Sequence, residues 1–432
     1  MNTILIAIGK TLSFVSKKLG FGHGSTWPGH IALSINKNFV KETLSHTKTH
    51  IIFIAGTNGK TTTAKLIATI LRTDGKTVFH NASGANLLNG IASTLIQHSS
   101  FFGNIEAEFG IFEIDENTLP HALREIAPDY LVILNLFRDQ LDRYGEVDSI
   151  AKKWGDAIRH LPSKTTLILN ADDPQIAYLH KGYKGMVKFF GLDDKSASTT
   201  SHQHAVDSIY CLNCGSKLIY KTAYFSHIGD WECKNCGEKR PKLDISNTPS
   251  YPLSGIYNRY NTLAAILLSR TIGLNDKIID SALQKFSPAF GRQEIIEVNG
   301  KKIQLFLSKN PTSFNESLRT IEDLGAKHIL FVLNDRIPDG RDISWIWDVD
   351  FEEYVDKNMN IVISGDRCYD LALRLKYTNP LILNTKYLIQ ENLGEAIKMA
   401  LDKTSKNDIL YVLSTYSAML EVRKILTGRK IL

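Results

Sequence analysis

Apolar and polar positions follow two periods along this chain, and their alternation sets out its architecture. Between residues 50 and 200, short apolar runs at 51–55, 109–114, 130–136 and 166–169 alternate with stretches of helical spacing at 60–72, 86–98, 118–126 and 147–160. Short runs without a polar side, rich in Ile, Val and Phe, predict buried parallel strands. Strands alternating with helices predict a mostly parallel sheet covered on both faces, with ligands at the carboxyl ends of the strands. From about 296 a second, smaller α/β unit follows, with strands at 302–307, 329–333, 361–364 and 409–413 and helices at 314–324, 368–376, 392–403 and 415–427. At the other end, Ile4, Ile8, Leu12, Val15 and Leu19 recur at helical spacing and predict an amphipathic helix. Docking on the protein body is the plain role for it, and contact with a membrane surface the sharper one. A glycine-rich loop, residues 20–30, leads onward. The expected division is 1–45 (helix and loop), 46–295 (central domain) and 296–432 (C-terminal α/β domain), with no internal repeat.

With 432 residues and 43% hydrophobic content, the chain has material for two or three cores. A net charge of +6 suits an anionic small-molecule ligand and is too modest for a nucleic-acid footprint. Five cysteines, four of them clustered, do not read as a secreted disulfide scaffold. The apolar patch Ile4–Ile8 is too short for a membrane span and lacks the flanks of a signal peptide, so a cytoplasmic protein is expected.

The richest stretch is His50–Thr63, HIIFIAGTNGKTTT. A strand, a glycine-bearing turn (Gly56, Thr57, Asn58, Gly59) and then Lys60-Thr61-Thr62 at a helix start make a phosphate cradle. Backbone N–H groups and the helix dipole face the anion, Lys60 reaches the outer phosphates, and the Thr61 hydroxyl is placed for Mg²⁺. The generic phosphate-loop spacing asks for Gly at position 54, where this chain has Ile. In FEIDE, Glu113 and Asp115 end the neighbouring strand, and Glu113 is the expected second Mg²⁺ anchor. Two polar strand-end loops, Asn135–Gly145 and Asn170–Pro174, read equally well as turns or as site.

Cys211-x-x-Cys214-Gly215 and Cys233-x-x-Cys236-Gly237, within a segment of about 207–241, form two knuckles with the spacing of a structural Zn²⁺ site. A ribbon this small holds no core without its metal. Cys368 stands alone and reads as a buried bystander.

Taken together, GTNGKT at 56–61, Glu113, NxxxDxxDRYG at 135–145, NADDP at 170–174, GxxNxxNxxAA at 255–265, Gly291-Arg292 and Lys309-Asn310-Pro311 resemble the Mur ligase family across about residues 20–427. Gln140, where most Mur ligases have His, the four-cysteine insert and LNDRIPDGRDISWIWD at 333–348 are similar to the MurT family within it. The resemblance implies a phosphate-loop central domain with a parallel sheet and a zinc-ribbon insertion, then a smaller Rossmann-like C-terminal domain. It implies an ATP- and Mg²⁺-dependent enzyme that activates the D-glutamate α-carboxylate of lipid II as an acyl phosphate. Ammonia would come from a GatD-like glutaminase in a heterodimer, giving D-isoglutamine for peptidoglycan synthesis at the inner face of the membrane. Membrane contact would be at most peripheral, through the lipid-linked substrate, and nucleic acid is not an expected partner. By the same resemblance Asn258 and Asn261 contact nucleotide, and Arg292 and Lys309 lie near the phosphates. The family's ribose-binding Asp is not matched, because this chain has Phe306, Leu307 and Ser308 there. Asp342 best matches the Asp that completes the partner's Cys–His pair, with Asp335 and Asp339 in the same loop. Trp345 and Trp347 read as core or interface, core being the plainer reading for at least one. Two rivals remain: a Mur or folylpolyglutamate-type ligase that adds an amino acid, and a zinc-ribbon nucleic-acid binder switched by ATP.

Overall fold

Two parallel-rich sheets carry the computed structural model, which describes residues 2–18, 26–45, 47–81, 85–139, 147–199, 206–356, 358–378 and 387–428. Residues 20–25 of the glycine-rich loop, and Gln140 to Gly145 of the first polar loop, lie outside the described residues. The first sheet has strands β1 (His50–Ala55), β2 (Val78–His80), β3 (Phe109–Ile114), β4 (Tyr130–Ile133), β5 (Thr166–Asn170) and β6 (Val187–Phe190), in the order β2-β3-β1-β4-β5-β6. Every neighbouring pair in it is parallel. Parallel strands are covered on both faces, which is why β1 and β3 are apolar without alternation. One face packs Phe53, Phe112, Leu131 and Trp154 into a core, and the other packs Ile52, Ile54, Ile67 and Ile266. Emptying one such position, as in Phe53→Ala, costs about 3–5 kcal/mol.

β7 (Ile219–Phe225) and β8 (Ile228–Glu232) form a separate antiparallel hairpin that carries the cysteine knuckles. The second sheet contains β9 (Arg292–Val298), β10 (Lys301–Leu307), β11 (His328–Val332), β12 (Asn360–Ser364), β13 (Leu388–Ile389) and β14 (Ile409–Ser414), ordered β13-β12-β11-β14-β10-β9. β9 alone runs antiparallel, on an edge. It begins ahead of the boundary expected at 296, because Arg292 already pairs with Phe306. Cys368 is buried in this second core, as a bystander would be.

The N-terminal helix, Asn2–Lys18, corrects one expectation. It does dock on the body, but through Leu5, Ile6 and Gly9. The stripe Ile4, Ile8 and Leu12 faces outward instead. The reason is close approach: a Cβ at position 9 would lie 2.9 Å from Ile96 Cγ2, so the helix settles on its glycine side. The side chain of Val15, and Leu19, lie outside the described residues. Among the described residues, no helix is long and apolar enough to cross a membrane.

Candidate active site

The cavity of about 660 Å³ lies between the two sheets, at the carboxyl ends of β1, β3 and β4, and is lined from both sides. Its floor is the turn after β1. Gly56 and Gly59 have φ of 138° and 91°, the second in the left-handed region. Any side chain at 59 would collide with Asn261 Oδ1, so that turn needs glycine twice over. Helix Lys60–Thr73 starts immediately after, so its N-terminal N–H groups and dipole point into the cavity. The turn is buttressed by the residues after β4. Asn135 Oδ1 accepts from Asn58 N (2.9 Å), Asn135 Nδ2 donates to Asn58 O (3.1 Å), and Phe137 N donates to Thr57 Oγ1 (3.1 Å).

Lys60 Nζ donates to the carbonyls of Gly56 and Thr57 and pairs with Glu116 Oε1 at 3.2 Å. Glu116 is buried. Burial acts to raise its pKa, but Lys60 and Lys309 outweigh it and hold the carboxyl below its usual range. The Thr61 hydroxyl donates to Glu113 Oε2 at 2.6 Å. The backbone of Glu113 is fixed by Asn81 on both sides, N–H to Oδ1 (2.9 Å) and C=O from Nδ2 (3.0 Å). Its second oxygen, Oε1, is buried without a hydrogen-bond partner. Burial pushes the Glu113 pKa up, against the pull of Arg292, Thr61 and Lys60. An orphaned carboxylate oxygen beside a threonine hydroxyl is a hard-oxygen donor set that fits Mg²⁺.

From the other side come Arg292 and Lys309. Arg292, at the start of β9, lines the cavity, and burial lowers its pKa while Glu113 opposes. Lys309 pairs with Asp139; burial works against the charge, but Asp139 and Glu116 raise the lysine's pKa. Asn258 and Asn261 line the wall on helix Ile256–Ile272, joined by Asn261 Nδ2 to Asn258 Oδ1 (3.1 Å). Phe306 and Leu307 line the cavity, and the Ser308 hydroxyl donates to that of Ser317 (2.9 Å), itself a lining residue. Thus Thr57, Asn58, Gly59, Lys60, Thr61, Thr62, Glu113, Asn258, Asn261, Arg292 and Lys309 line one cavity, whereas Gly56, at the start of the turn, is not among its lining residues.

Asp342 does not. It is exposed and caps Ser344 N at 2.8 Å, outside the cavity, although Ile337 and Pro338 of the same loop do line it. Its two neighbours are occupied elsewhere. Asp339 is buried against the Ser417 N–H (2.7 Å), and Asp335 pairs with Arg367 (3.5 Å). Trp345 packs against Phe314 in the second core (centroids 6.0 Å apart), and Trp347 is half exposed.

In the turn Asn170–Pro174, Asn170 lines the cavity, while the two aspartates hold neighbouring elements in place. Asp172 accepts from Tyr260 Oη (2.6 Å), Arg240 (3.1 Å) and Leu192 N (2.8 Å), and Asp173 caps helix Pro174–Tyr178. It roots the ribbon to the sheet. In the ribbon the four thiol sulfurs lie within 4.8 Å of one another, with Cys211–Cys236 at 3.6 Å and Cys214–Cys233 at 3.5 Å. Four thiolates about 2.3 Å from a central ion stand roughly 3.8 Å apart, so the cluster fits tetrahedral Zn²⁺. Gly215 and Gly237, at φ 72° and 78°, close two matching knuckles.

Sequence reasoning missed several lining residues, among them Glu116, Tyr257, Gln293 and Glu316. Glu116 was visible in FEIDE as a third acid, yet nothing marked it as the partner of Lys60. Gln293 sits on a β-bulge with φ 61° and donates to Tyr257 Oη (2.8 Å), and burial pushes the Tyr257 pKa up to about 12. Glu316 faces the cavity from helix Pro311–Asp323, whose sequence reads as an ordinary amphipathic helix.

Comparison with known proteins agrees with this geometry. A model of the Mur ligase middle domain matches residues 54–269, and one of the MurT ligase C-terminal domain matches 307–419. Subunit MurT of lipid II isoglutaminyl synthase (glutamine-hydrolysing) from Streptococcus pneumoniae is 33% identical over 99% of this chain and 98% of its own. The same subunit from Staphylococcus aureus strain COL is 34% identical over 86% of each chain. Among solved structures, a pseudomurein peptide ligase type C from Methanothermus fervidus shares the fold at TM-score 0.66 and 21% identity, over 90% of this chain and 80% of its own. MurF from Thermotoga maritima, in complex with ADP, does so at TM-score 0.60 and 16% identity, over 90% and 82%. The two-sheet fold with its phosphate cradle is that of an ATP-dependent ligase of the Mur type. Within that class, the chain belongs to the MurT family.

Proposed function

We propose that this chain is the ATP-using subunit of an enzyme that amidates the D-glutamate α-carboxylate of the lipid II stem peptide, at the cytoplasmic face of the membrane. The observation that carries the reading is the convergence of Lys60, Arg292 and Lys309 with the orphaned Glu113 oxygen on one cavity shared by both sheets. A carboxylate is a poor electrophile. Its oxygen therefore attacks the γ-phosphorus of ATP, ADP leaves, and an acyl phosphate forms. Ammonia then attacks the acyl carbon, phosphate departs with the C–O bond electrons, and the nitrogen loses a proton that the released phosphate takes up, leaving D-isoglutamine. The turn Gly56–Thr62 and the helix N-terminus hold the phosphates, and Lys60, Arg292 and Lys309 offset the charge of the transferring group. Thr61 and Glu113 would hold Mg²⁺, which supplies Lewis-acid polarisation of the phosphoryl oxygens when bound. Asn258 and Asn261 position the nucleotide. Residues 46–295 form the nucleotide-binding domain in this reading, and 296–432 complete the cavity and face the partner.

The ammonia comes from a GatD-like glutaminase in a one-to-one complex. Asp342 serves that partner by orienting its His. Asp342 is exposed and accepts a single local hydrogen bond, whereas Asp339 is buried and Asp335 is paired. The test is mass spectrometry of lipid II incubated with ATP, glutamine and this chain, with and without the glutaminase. Replacement of OH by NH₂ only when the glutaminase is present is the expected result. Unchanged lipid II, together with ATP turnover stimulated by a free amino acid, overturns it. Asp342→Asn is expected to keep ATP binding and lose glutamine use, with activity returning on added ammonium. Failure of ammonium to rescue would reject the role of Asp342.

A further inference from the structure

The face that the N-terminal helix turns to solvent is built for something other than water. Its outward arc carries Thr3, Ile4, Ile8, Thr11, Leu12 and Phe14, with no charged residue among them. Ile4 and Phe14 are 65% and 67% exposed. An outward helix face on a globular protein normally bears charge, and an apolar one marks an interaction surface. The helix's described charged side chain in this stretch, Lys10, bends back to the Gln97 carbonyl (3.1 Å) and over the Phe101 ring (5.5 Å). The patch continues on the elements packed around the helix. Phe101 and Phe102 stand in the loop beside it, 63% and 83% exposed, and Trp27 opens the helix that packs at Gly9, 72% exposed.

Charge says what covers this surface. The first forty-nine residues contain six lysines (10, 17, 18, 37, 41 and 48) against one acid, Glu42, in a chain whose whole net charge is +6. Nearly all the excess positive charge thus lies in the segment that bears the patch. Aliphatic and aromatic side chains on one helix face, in a lysine-rich segment, match the boundary of an anionic bilayer. There the rings enter the interfacial layer and the ammonium groups meet the headgroups.

We propose that this helix, with Trp27, Phe101 and Phe102, seats the protein on an anionic phospholipid surface, lying in the interface without crossing it. The proposal goes beyond the amidation reading and does not depend on it, so its test uses vesicles that contain no lipid II. The full chain is floated with vesicles of phosphatidylcholine alone, and of phosphatidylcholine with phosphatidylglycerol, at low and raised salt. The wild-type chain is expected to float with the anionic vesicles, less so as salt rises, with a blue shift of Trp27 emission that Trp27→Phe removes. The double variant Ile8→Glu, Phe14→Glu is expected to lower the partition by roughly tenfold or more, with an unchanged melting temperature. Should that variant misfold, Ile4→Ser with Leu12→Ser is expected to lower the partition in the same direction. Wild-type partition in a folded double variant overturns the proposal, as does absence of binding to either vesicle. A wild-type chain that instead self-associates in sedimentation, with the variant monomeric and neither bound to vesicles, shows a second copy as the occupant and also overturns it.

Discussion

Lys60 answers to two masters, the phosphate cradle and Glu116, and its substitution should report on both. Lys60→Ala removes the charge facing the outer phosphates and leaves Glu116 buried without its ion-pair partner. Turnover is expected to fall by about 10²–10³ or more. Stability should fall as well, by about 3–5 kcal/mol, as when one partner of a buried pair is deleted. Parallel measurement of ATP consumption and of the urea midpoint separates the two, and full activity in the variant would reject the phosphate-loop role. His80, at the end of β2, makes a different prediction. Burial, helped by Arg72, His98 and Lys65, lowers its pKa from 6.5 to about 4. The folded state thus refuses a proton that the unfolded chain accepts below pH 6.5. Stability is full above that pH and is lost as pH falls from 6.5 towards 4, by about 3 kcal/mol in all. His80→Gln should flatten this part of the profile, read as urea midpoints at pH 7 and pH 5. A variant with the wild-type slope would show that other groups set it.

At the scale of elements, the ribbon is the part most exposed to chemistry from outside. Cys211 and Cys233 sit in a small apolar cluster with Leu218 and Trp231, Cys214 and Cys236 are exposed, and the ribbon's root reaches deep into the central domain. The Trp231 indole donates to the Ala171 carbonyl (2.9 Å), and Tyr224, Phe225 and Ile228 belong to the core under β1. Chelation, or Cys214→Ser with Cys236→Ser, is therefore expected to lower the melting temperature and shift Trp231 emission. The molecules that stay folded should retain ligase activity; a stable but inactive variant would contradict a structural role. The knuckles were legible in the sequence because metal spacing is a local code. The long strands and their helices were legible for a similar reason, since runs such as Ile51–Ala55 carry their burial in their composition. β2 and β13 were not, because strands of three and two residues owe their existence to the neighbour they pair with. β9 escaped for another reason: Arg292 and Gln293 look like a polar loop until a bulge turns Gln293 into the cavity. Within the site, the phosphate turn was readable from residue types, while the Lys60–Glu116 and Lys309–Asp139 pairs join segments that only the fold brings together.

Besides the Lys309–Asp139 pair, further polar ties join the two halves of the molecule. Asn58 and Asn310 bond side chain to side chain (3.2 Å), Arg138 reaches Asp348 (3.2 Å), and Arg319 donates to the carbonyls of Tyr224 (2.7 Å) and Ala197 (3.2 Å). Arg319 touches no cavity-lining atom of the phosphate turn, but it clamps the second sheet's first helix to the ribbon's root. Arg319→Ala should thus lower the fraction of molecules closed around nucleotide. A several-fold rise in KM for ATP is expected, with kcat within about twofold and the melting temperature little changed. A fall in kcat at constant KM would place Arg319 in the chemistry instead.

The two faces of the first sheet also differ in when their cover becomes available. The face holding Phe53 and Trp154 draws on residues from Leu5 to Leu179, so it can close soon after the strands themselves have been made. The opposite face needs Tyr224 to Ile228, helix Ile256–Ile272 and residues as late as Leu283. A ribosome adding residues in order therefore leaves an apolar sheet surface half bare while about a hundred more residues emerge, several seconds or more at ordinary rates of synthesis. In that interval the nascent chain presents the kind of surface that trigger-type holdases bind, and late arrival of the ribbon would lengthen their stay.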